Sequence, residues 1–392
     1  MNKNQVAAFF QKYTMILALF AVIIFFAIST GGKILYPQNI NNLISQNAYV
    51  FVLATGMLLC ILTGGNIDLA VGSVVCFAGA LGAVMMKAGL NVWSAVLVML
   101  ATGLLIGLFQ GFWVAKISMP PFIVTLAGMY AFRGLSNVVL DGYAVAVNNT
   151  TFLNTFGGGA DCYIPDLIGS DENFNLTCMV VGVIVTVIFI VLEVLRITKE
   201  KKNSTSPESV KVAPQAAKDA VICVVILWMF YMLSRYKGIP TALIWIAATL
   251  LIYNYILSRT APGRHLYAVG GNEKATLLSG INTKLVYLFA YTVMGLLSGF
   301  AGILTIARAA SVQPTYGQGY EMDAIAACFI GGASAYGGTG KISGVLIGAS
   351  LLGIINQGMS IMGIDANYQK VVKGIVLLVA VMFDILSKRE KK

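Results

Sequence analysis

The sequence predicts an all-α, polytopic membrane protein with about 10–12 transmembrane helices, some of them broken or re-entrant. Three observations carry that expectation. Only 11% of the 392 residues are charged and 58% are hydrophobic, whereas about 25% of a soluble domain is charged. So few charges cannot coat a soluble surface of this size, and the mean hydropathy is +0.82. The apolar residues also gather in runs close to the roughly 20 that a helix needs to cross a hydrocarbon core. Finally, Lys and Arg concentrate in a few loops, as the positive-inside bias requires. In a soluble protein a net charge of +10 would suggest nucleic acid. Here it reflects basic loops on one membrane face, so lipid is an expected partner and nucleic acid is not.

Taken in order, the first apolar run, near 13–32, follows Lys3 and Lys12. It lacks a clear small-residue cleavage site and is read as a retained anchor rather than a signal peptide. Further spans are predicted near 48–64, 68–86, 93–115, 121–140 and 177–197. A second set lies near 219–235, 240–258, 285–307, 320–336, 342–362 and 368–387. Helix breaks or re-entrant turns are expected at Gly64-Gly65 and Gly331-Gly332. Gly103, Gly107 and Gly111 recur at four-residue spacing, as do Gly295 with Gly299 and Gly344 with Gly348. Lipid supplies no hydrophobic drive between helices, and such spacing lets backbones approach. Close packing within a subunit or dimer is the expected use, and residues 1–392 are read as one transmembrane domain.

Two loops are long. Residues 141–177 carry Asp161, Asp166, Asp171 and Glu172 and form an external loop, either a docking surface or simply solvated. Cys162 and Cys178 flank it, and a disulfide between them is considered. The other four cysteines sit in apolar runs as small packing residues. Residues 198–219, TKEKKNSTSPESVKVAPQAAKD, read as a flexible cytoplasmic linker. Six candidate spans lie on either side of it. A weak internal duplication pairs GGNIDLAVGSV from Gly64 with GGTGKISGV from Gly337. With both termini cytoplasmic, 18 of the 26 Lys and Arg fall inside, seven outside, and Arg133 within a span. That bias sets the orientation; Arg235/Lys237 and Lys370/Lys373 are the exceptions.

One polar, Gly-punctuated stretch interrupts the second apolar half. Residues 263–282, GRHLYAVGGNEKATLLSGIN, hold Arg264, Lys274 and the single histidine, His265. Arg259 and Lys284 flank them, which defines a cytoplasmic loop over 259–284. A short helix is predicted over 272–279. Asn272 caps it, Glu273 suits the helix dipole, and Gly280 ends it in a left-handed turn. Such a helix suits docking of a soluble partner, and equally a solvated connector.

With three further stretches, these residues resemble a known family. The stretches are LTGGNIDLAVGSVVCFAG (62–79), MPPFIVTLAGMYAFRG (119–134) and EMDAIAACFIGGASAYGGTGKISGVLIG (321–348). Together, in order and over nearly the whole chain, they are similar to permease subunits of bacterial ABC-type monosaccharide importers. These form the ribose, galactose and xylose branch, related to the branched-chain amino-acid permeases. The mid-chain insertion looks most like the xylose and multiple-sugar branch. The resemblance implies a homodimer with a second copy of the chain in the bacterial inner membrane, and alternating access. It implies an ABC ATPase subunit on the cytoplasmic side and an extracytoplasmic sugar-binding protein. It also implies that loop 259–284 couples to the ATPase, through Glu273, Ala275, Leu277, Leu278 and Gly280. Only Glu273, Ala275 and Gly280 match the general coupling-loop pattern of ABC importers, with the glycine one residue late. The docking role therefore rests on the local likeness.

Ionisable groups within spans are costly and functional by default; here they are Asp68, Arg133, Glu321 and Asp323. Asn66, Asp68, Ser73 and Thr125 are the candidate lining of a path for a hydroxyl-rich solute. Asp68 serves equally well as the cap of the helix that follows. Glu321 and Asp323 begin a span, where the dipole favours them or a carrier protein meets them. No phosphate-binding GxxxxGK[ST] occurs, since Ile342 follows GGTGK, and no nucleophile or metal constellation is present. The chain is therefore expected to be no enzyme and to hold no cofactor, with ATP used by partner subunits. The alternative is an ion-coupled secondary transporter, which would need an intramembrane carboxylate such as Asp68 as its ion site.

Overall fold

The structure, a computed structural model, describes residues 3–169, 174–203 and 212–389. It is almost entirely helical. In order come α1 (Lys3–Ser29), α2 (Pro37–Gln46), α3 (Ala48–Leu62), α4 (Val71–Lys87), α5 (Val92–Ala115), α6 (Pro121–Leu140) and α7 (Thr150–Phe156). Then follow α8 (Leu176–Asn203), α9 (Val212–Ser234), α10 (Thr241–Arg259), α11 (Ala261–Gly271), α12 (Glu273–Leu278) and α13 (Thr283–Ala309). The last are α14 (Tyr320–Ile330), α15 (Ile342–Ile361) and α16 (Ala366–Arg389). Two-residue strands, β1 (Val145–Ala146) and β2 (Ser311–Val312), pair antiparallel.

Each of the twelve predicted spans coincides with a helix. Among the described residues, six of these are by themselves long and apolar enough to cross a bilayer: α5, α6, α8, α10, α13 and α15. A seventh is α2 with α3, bent by 42°. The helix breaks leave α3 and α14 short. At 1.5 Å per residue, the 15 residues of α3 and 11 of α14 reach about 22 Å and 16 Å. Neither spans a core of roughly 30 Å alone.

Two compact units form. The first comprises residues 1–34, 43–162 and 242–392. Its centre is α3, in which every residue but Tyr49 is buried, with α13 alongside. The glycine spacing is used as expected. A Cβ on Gly103 would collide with the Gly295 carbonyl, and one on Gly107 would lie 2.5 Å from the Tyr291 carbonyl oxygen. Thus α5 and α13 meet backbone to backbone. Gly344 and Gly348 of α15 meet Gly331 and Ala327 in the same way. By contrast α5, α6 and α10 expose Leu97, Leu105, Phe109, Tyr130, Leu251 and Tyr255, surface that belongs against lipid.

The second unit comprises residues 35–42 and 163–241, where α8 packs on α9. The Cys178 thiol is reduced and donates to the Phe230 carbonyl at 3.5 Å, so the disulfide considered with Cys162 is not formed. The expected linker 198–219 is helical at both of its described ends. α8 continues through Asn203 and α9 begins at Val212; residues 204–211 lie outside the described residues.

The stretch 141–177 is built rather than merely solvated. β1 and α7 occupy its first half, and Phe152 and Phe156 are buried. Phe156 stacks on Trp245, whose indole N–H donates to the Thr155 carbonyl at 2.9 Å. Further on, the Asp166 carboxylate accepts from the backbone of Ile168, Gly169, Leu176 and Thr177 and from the Thr177 hydroxyl. Asp161 is exposed, and Asp171 and Glu172 lie outside the described residues.

Candidate functional site

Both expected helix breaks are present, and they touch. α3 stops at Leu62 and α4 begins at Val71; α14 stops at Ile330 and α15 begins at Ile342. Gly64 and Gly65 have φ of 117° and 78°, and Gly337 and Gly338 have 83° and 70°, a region glycine enters without steric cost. A Cβ on Gly65 would strike the Ala335 carbonyl, and one on Gly337 would lie 2.5 Å from Gly64 Cα. The Gly338 amide donates to the Leu62 carbonyl at 3.1 Å, and Ser334 N–H to Thr339 O at 2.9 Å. Irregular backbone at membrane depth persists only where protein satisfies it, and here each break helps satisfy the other. The two stretches paired by the weak duplication are these two breaks.

The polar stretch 263–282 is seated on this junction. The short helix has the capped form expected: Asn272 Oδ1 accepts from the Ala275 amide at 3.0 Å, Glu273 lies in the first turn, and Gly280 takes φ 82°. Ala275 is exposed, Leu277 is 59% exposed and Leu278 88%. The sequence reading missed α11. Its signals were Pro262 in the first turn, where a missing N–H costs nothing, and the three-residue spacing of buried Leu266 and Val269. One face of α11 rests on the breaks. A Cβ on Gly270 would collide with both the Leu62 carbonyl and the Gly338 amide. The Tyr267 hydroxyl donates to the Gly340 carbonyl at 2.7 Å. Asn272 ends α11 and caps α12, so the exposed α12 and the seated α11 are joined through one residue.

Of the candidate path residues, Asn66 and Asp68 lie in the break between α3 and α4, Ser73 in the first turn of α4, and Thr125 apart on α6. Asp68 is buried, and its Oδ1 accepts from the Ala70 amide at 2.8 Å as the chain enters α4. Asn66 Nδ2 donates to the Thr63 carbonyl at 3.2 Å and hydroxyl at 3.1 Å. Ser73 is buried in the first turn of α4, its hydroxyl without a hydrogen-bond partner among the described residues. Thr125 is buried on α6 and donates to the Pro121 carbonyl of its own helix at 3.0 Å. Tyr291 of α13 lies within electrostatic reach of Asp68 and Cys60, its buried hydroxyl unpartnered. One turn earlier, Tyr287 meets Glu273 of α12. No motif in the sequence marks either tyrosine.

The remaining intramembrane charges find partners. Arg133 of α6 donates to the Pro314 carbonyl at 3.0 Å and to the Tyr316 carbonyl, with Glu321 nearby. Glu321 turns back on the Gly319 amide at 3.2 Å. Asp323 is 2% exposed and pairs with Lys373 at 2.9 Å, while accepting from the Tyr49 hydroxyl at 2.7 Å. Lys373, counted from sequence among the outside charges as an exception to the bias, is a residue of α16 facing α14, and its charge is absorbed by a buried carboxylate. Among the described residues no group of His, Cys, Asp and Glu could hold a metal ion.

Comparison with known proteins places this arrangement. The profile of the branched-chain amino acid transport system / permease component family matches residues 39–192 and 168–381. The xylose transport system permease protein XylH of Escherichia coli is 35% identical over 386 residues, 97% of this chain and 93% of that protein. XylH of Haemophilus influenzae is 34% identical over 97% of both chains. The ribose import permease protein RbsC of Bacillus subtilis is 35% identical over 95% of this chain and 92% of its own. No solved structure matches the chain. With two glycine breaks interlocked beneath a capped, exposed helix and relatives matched from end to end, the chain belongs to the branched-chain amino acid transport system / permease component family and is a multi-pass membrane permease.

Proposed function

We propose that the chain is the permease subunit of an ATP-driven importer for a monosaccharide, xylose first among candidates. In this reading it works as a homodimer, with both termini cytoplasmic, an ABC ATPase subunit below and an extracytoplasmic sugar-binding protein above. The relatives named for xylose and ribose support the substrate class. The observation that carries the coupling is the seat of α11 on both helix breaks. ATP-driven closure of the ATPase domains displaces α12, which exposes Leu277 and Leu278 for an apolar contact. The displacement passes through Asn272 to α11, and from Tyr267 and Gly270 to the two breaks. These re-orient Asn66 and Asp68, and with them the inner end of the path that Ser73 and Thr125 also line. Asp68, the carboxylate an ion-coupled carrier would need, is engaged by the Ala70 amide, which suits the ATP-driven reading.

The test is Ala275→Arg, which places bulk and charge on the exposed helix without touching the protein's interior. Sugar-stimulated ATP hydrolysis and co-purification of the ATPase are expected to fall about ten-fold, the equivalent of one lost docking contact. Trimming residues 204–211 is expected to leave both intact. Retained stimulation in Ala275→Arg with loss on trimming would move the coupling site to the linker.

A further inference from the structure

At the end of α13 remote from α12 lies a cavity of about 310 Å³, for which the family comparison assigns no role. It is lined by Ser45, Gln46, Tyr49, Arg308, Tyr316 and Tyr320, among others. We propose that this cavity is a binding site for a neutral monosaccharide on the face opposite the ATPase-docking helices; the proposal rests on the sugar-importer reading above.

Position is the first ground. α13 has 27 residues and so is about 40 Å long, enough to separate Arg308 from Asn282 by the full membrane. A solute delivered on the face away from α11 and α12 therefore meets this cavity before it meets the breaks. Size is the second. Small-molecule sites run from about 300 Å³ upward, and a single sugar ring fits.

Chemistry is the third. Three tyrosines combine flat apolar faces with hydroxyl groups, as an amphipathic sugar ring requires. Ser45 and Gln46 add neutral donors and acceptors. The Arg308 Nε–H is buried and has no acceptor among the described residues; a ligand oxygen would supply one and remove the cost of leaving it unmatched. The walls are also pre-organised. Tyr49 and Tyr320 stack with centroids 3.7 Å apart, and the Tyr49 hydroxyl is tied to Asp323 at 2.7 Å. That carboxylate is already neutralised by Lys373, so nothing here calls for a cationic ligand. One cation among three tyrosines, an amide and a hydroxyl suits a ring with several hydroxyls better than a compact anion.

The experiment uses two independent readouts. In proteoliposomes containing the permease, its ATPase and its binding protein, Ala309→Trp fills the cavity and Arg308→Gln removes the orphan donor. Each is expected to lower labelled xylose uptake about ten-fold while still co-purifying with the ATPase subunit. Uptake equal to wild type in both overturns the proposal. Separately, Ser45→Cys is made in a Cys223→Ser background, since the other five cysteines are buried. In lipid nanodiscs carrying the permease alone, xylose or ribose should slow its alkylation, and sorbitol should not. No protection, or protection by xylonate but not xylose, overturns the neutral-sugar site. Because this arm needs no ATPase, it judges the cavity even if wild-type vesicles take up no sugar, a result that would sink the importer reading itself.

Discussion

Asp323 shows how a charge is kept at membrane depth. Its carboxylate is 2% exposed and has two protein partners, Lys373 and Tyr49. Taking one member from a buried pair leaves an uncompensated charge, at a cost of about 3–5 kcal/mol. Lys373 keeps 24% of its side chain exposed, which puts the loss in Lys373→Met at the lower end of that range. Asp323→Asn combined with Lys373→Met should recover much of it, because the unpaired charge is gone. Thermal unfolding of the four proteins in detergent forms the cycle, and additive losses would show that the pair is not coupled. Asp166 is a different case, a half-buried carboxylate held by hydrogen bonds. The Thr177 hydroxyl and then the Gly169 amide hold its pKa well below the ordinary aspartate range. A depressed folded value means its contribution is full above the unfolded value of about 3.9 and declines as pH falls below it toward the folded value. Amide protection at Ile168, Gly169, Leu176 and Thr177, corrected for intrinsic exchange, should therefore fall between pH 6 and pH 3. Asp166→Ala should show the low-pH pattern already at pH 6; equal protection throughout would remove Asp166 as the organiser of this loop.

At the scale of elements, the seam between α5 and α13 and the seat of α11 are both backbone contacts that a side chain would destroy. Gly295 lies with its Cα side 2.6 Å, by a would-be Cβ, from the Gly107 backbone. Backbone cannot swing aside as a side chain can, so Gly295→Leu should exceed the about 1–3 kcal/mol of ordinary overpacking. Little folded protein is expected by size-exclusion chromatography, and a well-folded variant would show that α5 and α13 can separate. The seam was legible in the sequence because four-residue glycine spacing marks one face of a helix. The partner of each face was not, since spacing says nothing about which helix lies opposite. Likewise the caps of α12 were legible at Asn272 and Gly280, being local hydrogen-bond geometry. α11 was not, because Gly263, Gly270 and Gly271 read as loop until the backbones they admit are known.

For the whole molecule, the basic residues of 263–282 and of the mid-chain linker predict one shared membrane face. Single cysteines placed in 263–282 and in 204–211 of a cysteine-free version should resist impermeant thiol reagents in intact cells and react once the membrane is opened. Labelling of either from outside would reverse the orientation. The same experiment separates the ends of α13. A cysteine at Ser45 should behave oppositely, because the cavity it lines sits at the far end of that helix from α12.

What the sequence determined by itself is whatever depends on solvent and near neighbours. A bilayer imposes the apolar runs, consecutive glycines impose the breaks at Gly64-Gly65 and between Ile330 and Ile342, and residues within one turn impose the caps. The family followed from the same stretches. Tertiary structure alone decided what these parts touch: Gly338 against Leu62, Tyr267 against Gly340, Lys373 against Asp323, and a cavity between Tyr49 and Arg308. Asp68 shows the boundary between the two. Its place beside a helix break was legible, and its bond to Ala70 is local. That Tyr291, more than two hundred residues on, comes within electrostatic reach of it follows only from α13 packing against α3, which no spacing along the chain encodes.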